Sequence, residues 1–200
     1  MTGLSETQRH PSGGRPHVDA IQLLMDEHQL ILRSLDALDA FVAKQVHGGD
    51  DRAELSRFVR FIREFADARH HGKEEDILFV AMVAAGFPRD GGPIAVMLMD
   101  HDAGRAYVAA MAARAEQQGP WTDADRRAMA EASLGYSSLL RAHIRKEDQI
   151  LYPMARQRLD PEALQRVDRD CVAFEAAQVA AGNDSVKDLG RELVARHAAA

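Results

Sequence analysis

Cysteine is almost absent from this 200-residue chain, where Cys171 stands alone. An intrachain disulfide is therefore excluded, and so are cysteine-rich zinc and iron–sulfur sites. Any metal must be held by histidines and carboxylates. Clustered positive charge is lacking too. The formal net charge is -6 and the pI is near 5.8, which argues against nucleic acid or an anionic membrane as a partner. No run of 18 apolar residues occurs, and the opening MTGLSETQRHPSGGRPH has no apolar segment of the kind that directs secretion. These absences predict a cytoplasmic protein with no membrane span. Alternating apolar and polar runs are also scarce, which leaves an all-α class.

Helical periodicity is what the chain does have. Residues 1–17 show none and are rich in Gly, Pro and Ser, so they read as a disordered tail. From Val18, residues such as Ile21, Leu24, Ile31, Leu35 and Leu38 recur at helical spacing as far as His47-Gly48-Gly49. A second pattern runs from about Asp51 to Ala85 and ends at Gly86 and Pro88. Gly72 inside it costs up to about 1 kcal/mol relative to alanine. The third pattern spans residues 93–118, before Gly119-Pro120, and the fourth opens with Thr122 and Asp125 in capping-box spacing and continues to Arg158. Residues 161–180 and 185–198 predict two shorter helices. The length suits one domain, with 18–158 as its main unit and 159–200 as a helical extension that caps the unit or binds a partner.

The stretches HHGKEEDILFVAM (70–82) and HIRKEDQILYPMA (143–155) are nearly the same text. An offset of 73 residues maps His70 onto His143 and Glu74 onto Glu147, and it also maps His28 onto His101. The unit that repeats is two helices long, which fits an αα-hairpin. Two such hairpins predict an up-down-up-down antiparallel four-helix bundle. At about 1.5 Å per residue, His28 lies about 27 Å from the end of its helix and His70 about 29 Å from the start of the next. All four histidines therefore share one layer, with Glu74 and Glu147 a turn away on the same face. Burying six such groups without a partner costs several kcal/mol each. Two adjacent metal ions remove the objection, each taking two histidines and both bridged by the glutamates, with positions left open for a small exogenous ligand. Iron, manganese and zinc all accept this donor set. Glu-x-x-His, the ferritin-like order, is absent from the repeat.

These residues resemble the hemerythrin-like (HHE) family, whose pattern is an early His in the first and third helices and H-x-x-x-E-[ED]-x-x-L-[FY]-P in the second and fourth. Here that reads LLMDEHQLI, HHGKEEDILFV, GPIAVMLMDHDAGRAYV and HIRKEDQILYP. The resemblance covers about residues 20–157. It implies a non-haem di-iron centre with His28, His70, His101 and His143 as terminal ligands and Glu74 and Glu147 bridging. Such a centre binds dioxygen, nitric oxide or peroxide, for sensing or detoxification. Arg105 stands where the oxygen-carrying members have a further histidine, so the site should be more open than theirs. Rival readings are a peroxidase- or catalase-like oxidoreductase and an iron storage or repair protein.

Several other residues carry two readings. His71 with Glu75 offers a competing His-x-x-x-Glu register, but its repeat mates are Ile144 and Asp148, and an ideal α-helix turns it about 100° from His70. Arg105 either shapes the open positions or forms a salt bridge. Tyr136 points inward, over the site or into ordinary core. Met97 and Leu24 read as core, and Cys171 as a small packed hydrophobe. His10, His17, His47 and His197 read as solvated.

Overall fold

The computed structural model describes residues 18–198; the expected tail at 1–17, with His10 and His17, lies outside the described residues. Six helices follow one another: α1 (Ala20–Gln45), α2 (residues 52–84), α3 (Gly92–Ala115), α4 (residues 123–158), α5 (Pro161–Ala180) and α6 (Ser185–His197). No strand occurs among the described residues. Side-chain oxygens fix the starts of α1, α2, α4 and α5. Asp19, Asp51 and Asp160 each accept the amide three residues on, and Thr122 with Asp125 forms the full capping box. The glycines Gly86 and Gly119 follow α2 and α3 at φ 96° and 75°, a region that β-carbon sterics close to most residues.

Cross-contacts give the helix directions. Along α1 and α4, Asp19 meets Arg156, His28 meets Asp148 and Asp39 meets Arg141, so one index rises as the other falls. The pairs Phe41–Phe58 and Glu27–His70 do the same for α1 and α2. For α2 and α3 the pairs are Asp67–Arg105 and Glu75–His101; for α3 and α4 they are Asp100–His143 and Arg114–Asp125. Each neighbouring pair is antiparallel. The α1–α2 and α3–α4 connections meet at one end, where Arg52 donates to the Gln117 and Gly119 carbonyls.

The buried apolar residues form two clusters. One is built around Leu38, Phe41, Phe58, Phe65, Met111 and Met129; the other around Ile21, Leu24, Phe79, Met82, Met97 and Tyr152. Leu24, Met97 and Cys171 belong to the second, and burial pushes the Cys171 thiol up to about 12, so it packs rather than reacts.

The C-terminal helices α5 and α6 lie on α1 and α2. Two glycines allow the approach. A β-carbon on Gly72 would touch the Phe174 ring at 3.4 Å, and one on Gly190 would come within 2.4 Å of the buried Phe61 ring. His197, expected to be solvated, is instead buried, with its Nε2 2.8 Å from Glu54. The fold-back of α6 brings this terminal residue against α2. His47 is exposed, as expected.

Two helices depart from α geometry. Ile62–His71 and Glu74–Leu78 in α2, and Glu147–Leu151 in α4, are π-helical. Such i→i+5 turns are rare and cluster at functional sites. An offset of 73 superimposes the two short segments; the long one has no counterpart, since residues 135–144 are ordinary α-helix.

Candidate metal centre

His28, His70, Glu74, His101, His143 and Glu147 are each no more than 1% exposed, and the structure brings all six together. The Nε2 atoms of His28 and His70 are 2.9 Å apart, and those of His101 and His143 are 3.1 Å apart. The carboxylates span both pairs. Glu147 Oε2 lies 3.4 Å from His28 Nε2 and 3.1 Å from His143 Nε2, while Glu74 Oε2 lies 3.8 Å from His70 and 3.6 Å from His101.

His71 joins them. It is 5% exposed and stacks on the His101 ring at 3.8 Å. The α-helical wheel misplaced it because α2 is π-helical here, and a π turn carries more residues, so successive side chains are rotated by less. The candidate donor atoms then fall into two groups that could each hold a metal ion, His28, His70, Glu74 and Glu147, and His71, Glu74, His101 and His143, each within a span of 4.8 Å.

The outer nitrogens are held just as regularly. Nδ1 of His28 lies 2.7 Å from Asp148, that of His70 2.9 Å from Glu27, that of His101 2.7 Å from Glu75 and that of His143 3.2 Å from Asp100. Each imidazole is thereby oriented with Nε2 inward, the arrangement carboxylates impose on metal-binding histidines. Sequence reasoning missed Glu27 and Asp100, and it met Glu75 and Asp148 only as a competing register and its repeat mate, not as partners of the imidazoles. The signal was present, since the offset of 73 maps Glu27 onto Asp100 and Glu75 onto Asp148. The same offset maps Lys73 onto Lys146, and these lysines pair with Glu27 and Asp100.

Burial keeps His70 low, at about 4, and His71 well below its ordinary range. Both are neutral near pH 7, as a metal ligand must be. Burial also opposes charge on His28 and His143, but the carboxylates prevail. Asp148 and Glu147 bring His28 to about 9, and Glu147 and Asp100 bring His143 to about 10. Burial and the charge of Glu147 push Glu74 well above the carboxylate range, while His143 and His28 hold Glu147 well below it in spite of burial. Protons thus do the work of cations among these side chains, and a bound metal would displace them.

The donor set fits a metal pair. Glu74 Oε2, both carboxylate oxygens of Glu147 and His71 Nε2 are buried without a hydrogen-bond partner, a cost that coordination removes. Two nitrogens about 2.1 Å from one ion at a right angle lie about 3 Å apart, which is the spacing of both Nε2 pairs.

Arg105 and Tyr136 are not in the ligand cluster. The Arg105 guanidinium binds Asp67, Glu75 and Asp102, and the Tyr136 ring packs 3.5 Å from where a β-carbon on Gly104 would stand. The phenol that does reach the cluster is Tyr152, whose hydroxyl donates to Glu74 Oε1 at 2.5 Å and whose ring stacks on His28.

Neither a curated protein nor a solved structure matches the chain significantly. The family profile described as the hemerythrin HHE cation binding domain matches residues 19–155, the span that holds every residue of the cluster. The chain belongs to the hemerythrin HHE cation-binding family.

Proposed function

We propose that this is a non-haem di-iron protein that binds O2, NO or peroxide at a dinuclear centre, for sensing or detoxification. Its helices α1–α4 make the up-down-up-down four-helix bundle of residues 18–158, and residues 159–200 are an extension docked on it. His28 and His70 serve one ion; His71, His101 and His143 serve the other; Glu74 and Glu147 bridge. The observation that carries this reading is the convergence of seven buried donors, four of whose atoms make no hydrogen bond. Manganese and zinc accept the same donors; family membership favours iron. Bound iron supplies Lewis acidity and one-electron redox capacity. The chain's own groups orient the imidazoles through Asp148, Glu27, Glu75 and Asp100, exclude bulk water and offer a phenolic proton at Tyr152. A cytoplasmic location accords with the single cysteine and with the absence, among the described residues, of a helix able to cross a membrane.

Protein purified from iron-supplemented cells should contain two irons per chain and show charge-transfer bands that shift on adding azide. Glu74→Ala and Glu147→Ala should lose metal, and His71→Ile should weaken retention of one iron at least tenfold while the other stays. One zinc, or no metal and a flat spectrum, would sink the reading.

The Tyr152 contact favours a second reading, turnover of peroxide, because a phenol hydrogen-bonded to a bridging carboxylate is placed to pass a proton or an electron. Steady peroxide consumption that falls in Tyr152→Phe at equal iron content would support it. An iron-donating role suits the site less well, since its ligands are at most 5% exposed.

A further inference from the structure

A cavity of about 90 Å³ lies between α2, α3 and α4. Its inner wall is formed by the buried rings of His71 and His101, and at its outer end stands Arg105, which is exposed. It therefore leads from the surface to the side of the ligand cluster where three histidines gather. Its sides are mainly apolar, and the tyrosine that lines it, Tyr136, is 2% exposed yet makes no hydrogen bond through its hydroxyl among the described residues. The hydroxyl is not among the sealed, unpaired polar atoms of the described residues, so it borders open space in which a guest can offer it a hydrogen bond. Two features keep the space open. Gly104 brings no side chain into it, and Arg105 is held across the α2–α3 boundary by Asp67 at 2.8 Å and Glu75 at 2.7 Å rather than folding inward.

We propose that this cavity is the entry and holding site for the exogenous ligand, sized for a molecule of two or three heavy atoms such as a diatomic, hydrogen peroxide or azide, and closed to organic hydroperoxides. The volume sets the limit. A cavity of about 150 Å³ holds benzene, so one of about 90 Å³ has room for peroxide and is tight for a tert-butyl or cumyl group. Tyr136 acts as the hydrogen-bonding wall and Gly104 sets the bore. Arg105, 42% exposed at its side chain and hydrogen-bonded to Asp67, Asp102 and Glu75, stands at the mouth. This inference rests on the di-iron reading for what lies at the inner end, and on the cavity itself for the selection by size.

The test uses the iron-loaded protein and two readouts that need no turnover. Crystals under xenon pressure should show xenon between Tyr136 and the His71–His101 pair. In stopped flow, azide should bind at least tenfold more slowly to Gly104→Val than to wild type, at equal iron content and with the same final spectrum. Leu140→Phe, which narrows the cavity from α4, should repeat the slowing if Gly104→Val fails to fold. Hydrogen peroxide should perturb the spectrum at a rate at least a hundredfold above tert-butyl hydroperoxide. A cavity without xenon, or azide binding that neither substitution slows, overturns the proposal. Protein that holds no iron overturns the di-iron reading instead, and the xenon result then still decides whether the cavity takes a small guest.

Discussion

The two hairpins of this protein carry the same framework under different cover. In the second, the lysine beside the outer carboxylate is open to water. Lys146 pairs with Asp100 while 36% exposed, and Asp100 holds His143. In the first, the corresponding Lys73 is fully buried, and Glu27, which holds His70, is 4% exposed. Helix α5 makes the difference. Glu175 accepts from Lys73 at 2.6 Å and also binds Arg69, which is itself 2% exposed. Where the second hairpin has Arg145, the first has Gly72, under the Phe174 ring. A surface ion pair has thus become a buried network, and the extension has replaced the water that would have solvated it. The repeat shows what the site needs, and its breaks show what has been added to one half.

The sharpest test of the contrast is to remove the paired lysines one at a time. Lys73→Met takes the lysine from the buried Glu27 and leaves it beside the half-buried Glu175, and breaking a buried ion pair costs about 3–5 kcal/mol. Lys146→Met removes a partly exposed pair and should cost less than about 1 kcal/mol. Urea unfolding of both variants at neutral pH measures the difference. Equal losses would mean that the α5 cover has no energetic weight.

A smaller effect follows from the charge on Glu175. Burial opposes that charge, but Arg69, Lys73 and Lys187 hold the carboxyl down at about 2, below its usual 4.5. A depressed folded-state pKa stabilises above the unfolded value and is lost as pH falls through the folded one. The contribution should therefore be complete at pH 6 and fade between about pH 4.5 and pH 2. Glu175→Gln should be less stable than wild type by about 2 kcal/mol at pH 6, the scale of a charge-assisted hydrogen bond, and the gap should narrow on acidification. A gap of the same size at pH 6 and pH 3 would show that the charge is not what α5 contributes.

Much of this was legible in the residues. Asp19, Asp51, Thr122 with Asp125 and Asp160 announce helix starts because each must answer an amide that the helix leaves unpaired. The convergence of His28, His70, Glu74, His101, His143 and Glu147 was readable because a repeat with helical phase leaves few other reasons for six matching polar positions. His71 was not, because its repeat mate is Ile144 and only the unmatched π-helical segment turns it inward; residue periodicity does not record a change of helix type. His197 misled for a different reason. A position near the end of a chain says nothing about whether a helix folds back, and here α6 carries it against Glu54. The outer carboxylates were legible in principle: the offset had already matched Glu75 with Asp148, and one residue before His28 and His101 it matches Glu27 with Asp100.

The smallest break in the repeat is one hydroxyl group. Phe79 stacks on His101 with planes 17° apart, as Tyr152 stacks on His28 with planes 6° apart, so the rings themselves obey the offset of 73. Only Tyr152 has an oxygen, and it donates to Glu74, whereas both carboxylate oxygens of Glu147 lack such a donor. Tyr152→Phe makes the halves alike and should cost about 1 kcal/mol in the metal-free protein, the net worth of a typical hydrogen bond. Phe79→Tyr makes them alike in the opposite sense, offering Glu147 the donor it lacks, and should gain a similar amount. The iron-loaded forms should separate the two further. If the phenol tunes the bridging carboxylate, Tyr152→Phe shifts the azide band while leaving iron content intact. If both substitutions change stability but neither moves the band, the hydroxyl only satisfies a buried acceptor, and the inequality between the two halves of the centre comes from His71 alone.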